Sequence, residues 1–290
     1  MPMISIPVKC FSLHHSITSG QPPLFLMDYE NRKASFLFKK RALVELKQAG
    51  DELITDWKGD ASEDEIRDEV IMRFRLEDDM KKIYKNIIKD RFMLNAVTVL
   101  YGLRLTLTDP WETLVCFICS MNNNLRNIKC IVNNLSLKFG ERVELEGEYF
   151  NSFPDAQSLS KADFRALREC KLGFRAKFIK SVAEACMDGH LLKKILEMRY
   201  DEAKEELIKI DGVGEKIANA VLLFGYGQLL AFPIDVWVRR TMSEVYLQNK
   251  KVSDKKIKEF ANDYWNGYAG YAQQYVYWYG KMQNRLHELG

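Results

Sequence analysis

An amine and a carboxylate stand 19 residues apart in LIKIDGVGEKIANAVLLFGYGQLLAFPIDVWVRR, residues 207–240: Lys216 and Asp235. Lys216 comes just after the tight turn Gly212-Val213-Gly214, inside the helix predicted from about Glu215. Asp235 follows Pro233 at a predicted N-cap. The two glycines let backbone N–H groups approach a ligand, because no Cβ stands in the way. Those groups sit at a helix N-terminus, where the partial positive charge suits a phosphate. A helix–hairpin–helix turn of this kind grips a nucleic-acid backbone without reading sequence. A neutral amine beside an anchored phosphate can attack the attached sugar at C1′ and form a Schiff base. A carboxylate beside it can stabilise the positive charge that builds on the sugar and help move protons. From these residues alone a blander pair of roles stays open: a phosphate-contacting lysine, and an aspartate that only caps a helix.

The rest of the chain has to position this pair. Residues 1 to about 60 are predicted to be β-rich: SIPVKCFSLHHSIT is strand-like, SGQPP breaks it, and two strands flank the turn Glu30-Asn31-Arg32. ALVELKQAGDELITDWKG reads as further strand and turn, with a helix over 43–50 as the alternative. From Ala61 the apolar spacing becomes helical. Asp109-Pro110 predicts a capped start to the apolar helix WETLVCFICSM, which ends at Asn122-Asn123-Asn124. Another helix runs to Gly140, GERVELEGEYFNSFP reads as a loop, and three helical stretches lead to the turn at Gly212. The aromatic C-terminal part is helical, interrupted near Asn266-Gly267. The fold class is therefore α+β, mostly α. An N-terminal antiparallel sheet plus helix is expected over 1–95 and a helical core over 96–290, with the hairpin at about 200–225.

With 47% hydrophobic and 29% charged residues the chain reads as a soluble globular protein. A net charge of +3 permits nucleic-acid binding only through a local footprint. The run Lys250, Lys251, Lys255, Lys256, Lys258 reads first as a solvated helix face. No apolar run has the length of a membrane span. The start, MPMISIPVKC, lacks the features of a signal peptide, and the six cysteines are scattered, so reduced intracellular thiols are expected. The lack of targeting signals fits a prokaryotic cytoplasm and is compatible with a nucleus. Cys116 and Cys119 lie in an apolar helical run and read as core, and the four histidines have no metal spacing.

Five separated stretches together resemble the 8-oxoguanine DNA glycosylase/AP lyases of eukaryotic and archaeal type, within the helix–hairpin–helix glycosylases. They are SGQPPLF at 19–25, GLRLTLTDPWETLVCFICSMNNN at 102–124, LGFRAK at 172–177, GVGEKIA with PIDVW, and YAGYAQQYVYWY at 268–279. The resemblance implies a bifunctional repair enzyme acting on double-stranded DNA. It flips out and excises 8-oxoguanine through Lys216, aided by Asp235, and then nicks the abasic strand by β-elimination. It implies that the Gly20 carbonyl accepts from N7–H of the lesion, that Gln273 meets the Watson–Crick edge, and that Tyr277, commonly phenylalanine, stacks on the base. Asn122 would enter the vacated space or contact the orphaned cytosine, and Asn123 would make a pocket or helix-end contact. Phe174 would wedge, Arg175 would contact the opposite cytosine, and Gly212, Val213 and Gly214 would hold a phosphate. No cofactor or metal is required, although a structural monovalent cation at the hairpin turn is compatible with the pattern. A monomer is expected.

The chain also departs from that pattern. Trp237 stands where histidine is frequent, Asn127 replaces a second cytosine-contacting arginine with Arg126 beside it, and Ala220 replaces a cysteine against the base. No cysteine follows Cys186, so the iron–sulfur branch is not expected. Two rival readings remain: a glycosylase for another damaged base, disfavoured by the lysine, and a non-catalytic helix–hairpin–helix DNA-binding protein. The second would need neither Asp235 nor the distant Gly20 and Gln273.

Overall fold

Alternating apolar residues in the first sixty positions build one antiparallel sheet. In the computed structural model, residues 2–23, 26–28, 33–248 and 252–289 are described. Leu24 and Phe25 of SGQPPLF, the expected turn at Glu30-Asn31-Arg32, and Lys250 and Lys251 lie outside them. The strands are β1 (Met3–Pro7), β2 (Leu26–Asp28), β3 (Lys33–Phe38), β4 (Ala42–Ala49) and β5 (Glu52–Gly59), in the order β1-β5-β4-β3-β2. β4 and β5 pair from Ala42↔Gly59 to Ala49↔Glu52. The two-residue turn between them starts at Gly50, whose φ of 61° a glycine tolerates without cost.

The strand expected to run through 5–18 stops at Pro7. Cys10 takes a left-handed φ of 50°, and Leu13–Thr18 is a helix, α1. Its start is the extended Ser12, whose hydroxyl accepts from the His15 N–H at 3.2 Å. A local cap has overridden strand-like composition.

The inner face of the sheet, with Phe36, Phe38, Val44, Leu46, Leu53 and Trp57, packs with Ile66, Val70 and Phe74 of and just after α2 (Glu63–Arg73). A second, larger core begins at Met80. It takes in α3 (Met80–Ile87), α4 (Arg91–Val99), α5 (Pro110–Cys119) and α6 (Leu125–Phe139). Asp109 caps α5, accepting from the N–H groups of Trp111 and Glu112, and Cys116 and Cys119 are buried in the core.

The expected loop at 140–154 contains a hairpin, β6 (Arg142–Leu145) and β7 (Glu148–Asn151). Glu146 and Gly147 both have positive φ, 50° and 83°, which a two-residue hairpin turn of this hand requires. Val143 and Leu145 pack on Leu43 of the sheet. The three helical stretches before Gly212 are five helices: α7 (Ala156–Lys161), α8 (Phe164–Glu169), α9 (Ala176–Cys186), α10 (His190–Leu196) and α11 (Tyr200–Ile208). Asp163 caps α8, and left-handed Gly189 precedes α10. Then come α12 (Glu215–Phe224), α13 (Val236–Thr241), which continues as a π-helical turn over Met242–Tyr246, α14 (Asp254–Trp265) and α15 (Ala269–Leu289). The break between the last two falls at Asn266-Gly267. Among the described residues, no helix is long and apolar enough to cross a membrane.

Arg104 and Gln21 tie the two cores together. The Arg104 guanidinium donates to the carbonyls of Lys9, Arg75 and Asp78. The Gln21 amide donates to the Ser16 and Arg104 carbonyls and accepts from the Thr106 N–H. These bonds fix the segment that carries Gly20.

Candidate active site

The hairpin between α11 and α12 is held by buried Leu207, Ile210 and Val213, with the Val213 N–H donating to the Ile210 carbonyl at 3.0 Å. The two glycines have different duties. Gly212 has φ 90°, and a Cβ there would lie 2.5 Å from Cδ1 of Phe178 on α9. Gly214 is exposed, with open space where its Cβ would be. No side chain caps α12 at Gly214. Its first N–H groups are left for an anion. Gly212→Ala should therefore destabilise the protein by about 2–4 kcal/mol, combining left-handed strain with overpacking. Urea unfolding checks this, and an unchanged midpoint would count against the packing described.

Lys216 sits in the first turn of α12 and is partly buried. Burial lowers its pKa below the usual lysine value, and the nearby Asp235 charge opposes that shift without cancelling it. Asp235 is the extended N-cap of α13, and its Oδ1 accepts from the N–H groups of Trp237 at 2.9 Å and Val238 at 2.8 Å. The cap locks the carboxylate in place beside the amine.

Sequence reasoning missed the residue that sets their spacing. Asn219, one turn beyond Lys216, accepts from the Tyr200 hydroxyl at 2.6 Å and from the Phe232 N–H at 3.3 Å, and donates to the Glu215 carbonyl at 2.7 Å. It binds α11, α12 and the segment leading to Asp235 into one unit. Its signal was a lone amide in the apolar run IANAVLLF.

The expected base-reading residues also converge. Gly20 has φ 80°, and a Cβ there would lie 2.8 Å from Cε1 of Tyr277 on α15. The Ser19 carbonyl accepts from Gln274 Nε2 at 2.8 Å, which fixes the glycine against α15. Gln273 is buried; its Nε2 donates to the Pro233 carbonyl at 3.0 Å while its Oε1 has no partner among the described residues. A buried acceptor left unpaired is costly, and a ligand N–H would satisfy it. Gln273 therefore links the α15 face to the Pro233-Asp235 segment. A cavity of about 330 Å³ opens beside Gly20, lined by Thr18, Leu125 and Arg126 among others.

Asn122 and Phe174 are exposed at the end of α5 and before α9, the aromatic ring at 52%. Asn122 is left-handed, φ 45°. Asn123 spends its side chain locally, donating to the Cys119 carbonyl and accepting from the Asn124 N–H. Arg175 is only 8% exposed. Its Nε and Nη2 donate to the Met121 carbonyl, Nη2 also to that of Asn122 and Nη1 to that of Leu172. In this structure the guanidinium shapes the loop that presents Asn122. The Phe174 ring meets Phe178 edge-on at 6.4 Å, so the exposed ring and the Gly212 turn share one neighbour. Of the departures, Asn127 lends its N–H to the Asn124 cap, Trp237 its N–H to Asp235, and Ala220 is fully buried.

The family model described as HhH-GPD superfamily base excision DNA repair protein matches residues 115–267, and that of the 8-oxoguanine DNA glycosylase N-terminal domain matches residues 3–114. A probable N-glycosylase/DNA lyase of Methanothermobacter thermautotrophicus is 27% identical, over 98% of both chains. Among solved structures, MBOgg1 in complex with a low-affinity DNA ligand superposes with a TM-score of 0.89 at 30% identity, covering 97% of this chain and 96% of that one. The 8-oxoguanine glycosylase/lyase of Clostridium acetobutylicum, bound to double-stranded DNA with cytosine opposite 8-oxoguanine, gives 0.87 at 29% identity, covering 98% and 99%.

Proposed function

Because the chain belongs to the HhH-GPD superfamily of base excision DNA repair proteins, preceded by an 8-oxoguanine DNA glycosylase N-terminal domain, we propose that it excises 8-oxoguanine from duplex DNA and then cleaves the abasic strand. The observation that carries the reading is a partly buried amine of lowered pKa, Lys216, beside the capped carboxylate of Asp235. In the excision step the bond from C1′ to the base nitrogen breaks, and a bond from Lys216 Nζ to C1′ forms. The base leaves with the electron pair and is protonated. Asp235 stabilises the cationic sugar as the bond breaks. Sugar-ring opening gives the imine, and loss of the C2′ proton then expels the 3′ phosphate. Every reacting group comes from the DNA or this one chain, so the proposed enzyme works as a monomer without a cofactor.

Gly20, Gln273 and Tyr277 receive the extruded base, with the unpaired Gln273 Oε1 accepting from its Watson–Crick edge. Gly212, Val213 and Gly214 hold a backbone phosphate, while Asn122, Phe174 and the loop set by Arg175 occupy the site the base has left. Phosphate contacts make binding fall with salt.

The test is incubation with duplex DNA carrying one 8-oxoguanine opposite cytosine, in borohydride. A covalent adduct that needs both the lesion and Lys216 supports the reading; binding with neither adduct nor base release overturns it. The lowered Lys216 pKa also sets the pH profile. Only the neutral amine attacks, so single-turnover excision should rise about tenfold per pH unit below that pKa. It should level off below the usual lysine value; a rate still climbing through that value would contradict the buried environment.

A further inference from the structure

The face of α15 that carries Gln273 and Tyr277 continues, four residues on, to Lys281. This lysine is only 9% exposed. Its Nζ donates to the Tyr277 hydroxyl at 3.2 Å and lies 5.3 Å from the ring centroids of both Tyr277 and Trp278. Those two rings are themselves in contact, 6.0 Å between centroids. Gly20 lies against the Tyr277 ring, close enough that a Cβ there would be 2.8 Å from Cε1 and 2.9 Å from Oη. The ring is thus held by a backbone that allows no side chain and by an ammonium bonded to its hydroxyl. Burying an ammonium is costly unless hydrogen bonds and ring faces repay it. The Tyr277 hydroxyl and the faces of the Tyr277 and Trp278 rings are among the groups that repay it here.

We propose that Lys281 is a positioning residue for base excision: through the Tyr277 hydroxyl it fixes the ring plane on which the extruded base stacks. The proposal rests on the 8-oxoguanine reading above and extends it to a residue outside the five stretches that carry the resemblance. It gives a use to the tyrosine that stands where phenylalanine is common, since only tyrosine offers a hydroxyl for Lys281 to donate to. Lys281 acts only while a base is in the pocket. Once the base is gone, Lys216 and the sugar do the remaining chemistry without it.

The experiment compares two duplexes, one with 8-oxoguanine opposite cytosine and one with a preformed abasic site. The unchanged chain, Lys281→Met, Lys281→Arg, Tyr277→Phe and the Lys281→Met/Tyr277→Phe double variant are each assayed. Lys281→Met should lower kcat/KM for base release about tenfold, the effect of one hydrogen bond to a charged donor. Imine trapping on the abasic duplex should stay within about twofold. Lys281→Arg should recover part of the loss, and the double variant should be no slower than Tyr277→Phe alone. The proposal is overturned if Lys281→Met slows both duplexes equally, as lost packing would, or if the two single effects multiply in the double variant. An unchanged chain that traps on the abasic duplex yet releases no 8-oxoguanine overturns the functional reading instead, so the two failures are distinguishable.

Discussion

Lys216→Gln will bind duplex DNA carrying 8-oxoguanine, release no base and form no adduct with borohydride. The amide cannot form an imine, so excision should fall by at least about 10³-fold. The same substitution should leave the melting temperature unchanged or raise it. Folding places Lys216 where its charged form is disfavoured, so the folded pKa is lower than the unfolded one. The resulting destabilisation is full below the folded pKa and fades as pH rises towards the unfolded value. At neutral pH the glutamine removes it. Gain of stability with loss of chemistry would mark the lysine as held for function. A variant that melts far lower would mean that the lost activity reflects a broken fold.

Asp235→Asn should slow excision by about 10²–10³-fold with little change in stability, because the two duties of this residue can be separated. Asparagine caps helices as well as aspartate does, and its oxygen can still accept from the Trp237 and Val238 N–H groups. Only the charge is lost. That charge works against the lowering of the Lys216 pKa. Its removal therefore leaves more of the lysine neutral and moves the rising limb of the pH profile to lower pH. The nucleophile is better supplied, and the reaction is slower all the same, because the cationic sugar has lost its counter-charge. A rate that stayed level, or rose with the extra neutral amine, would reduce Asp235 to a helix cap.

The two helix starts that carry Lys216 and Asp235 were legible because they are local: GVGEK and PID each encode a turn and a helix start within a few residues. The Asp109-Pro110 cap and the Asn266-Gly267 break were legible for the same reason. What escaped depended on partners distant in sequence or on a cap that outweighed composition. The helix at 13–18 hangs on Ser12, and the hairpin at 142–151 on a Glu146-Gly147 turn without the asparagine or aspartate that usually announces one. The placing of Arg175 was invisible, because its partners are main-chain carbonyls, two of them about fifty residues away, which carry no side-chain signature. Gln21, Asn219 and Gln274 gave only the faint hint of amides among apolar neighbours, and all three proved to hold the segments that bear the candidate residues.

The bond from Gln274 to the Ser19 carbonyl joins residues 255 apart in sequence. On the ribosome, the turn that carries Gly20 emerges early and waits through most of translation for the helix that will hold it. The segment that carries Asp235 waits for the same helix, because Gln273 donates to the Pro233 carbonyl. A nascent or truncated chain therefore completes neither its base-reading groups nor its Lys216–Asp235 unit until the last helix is made.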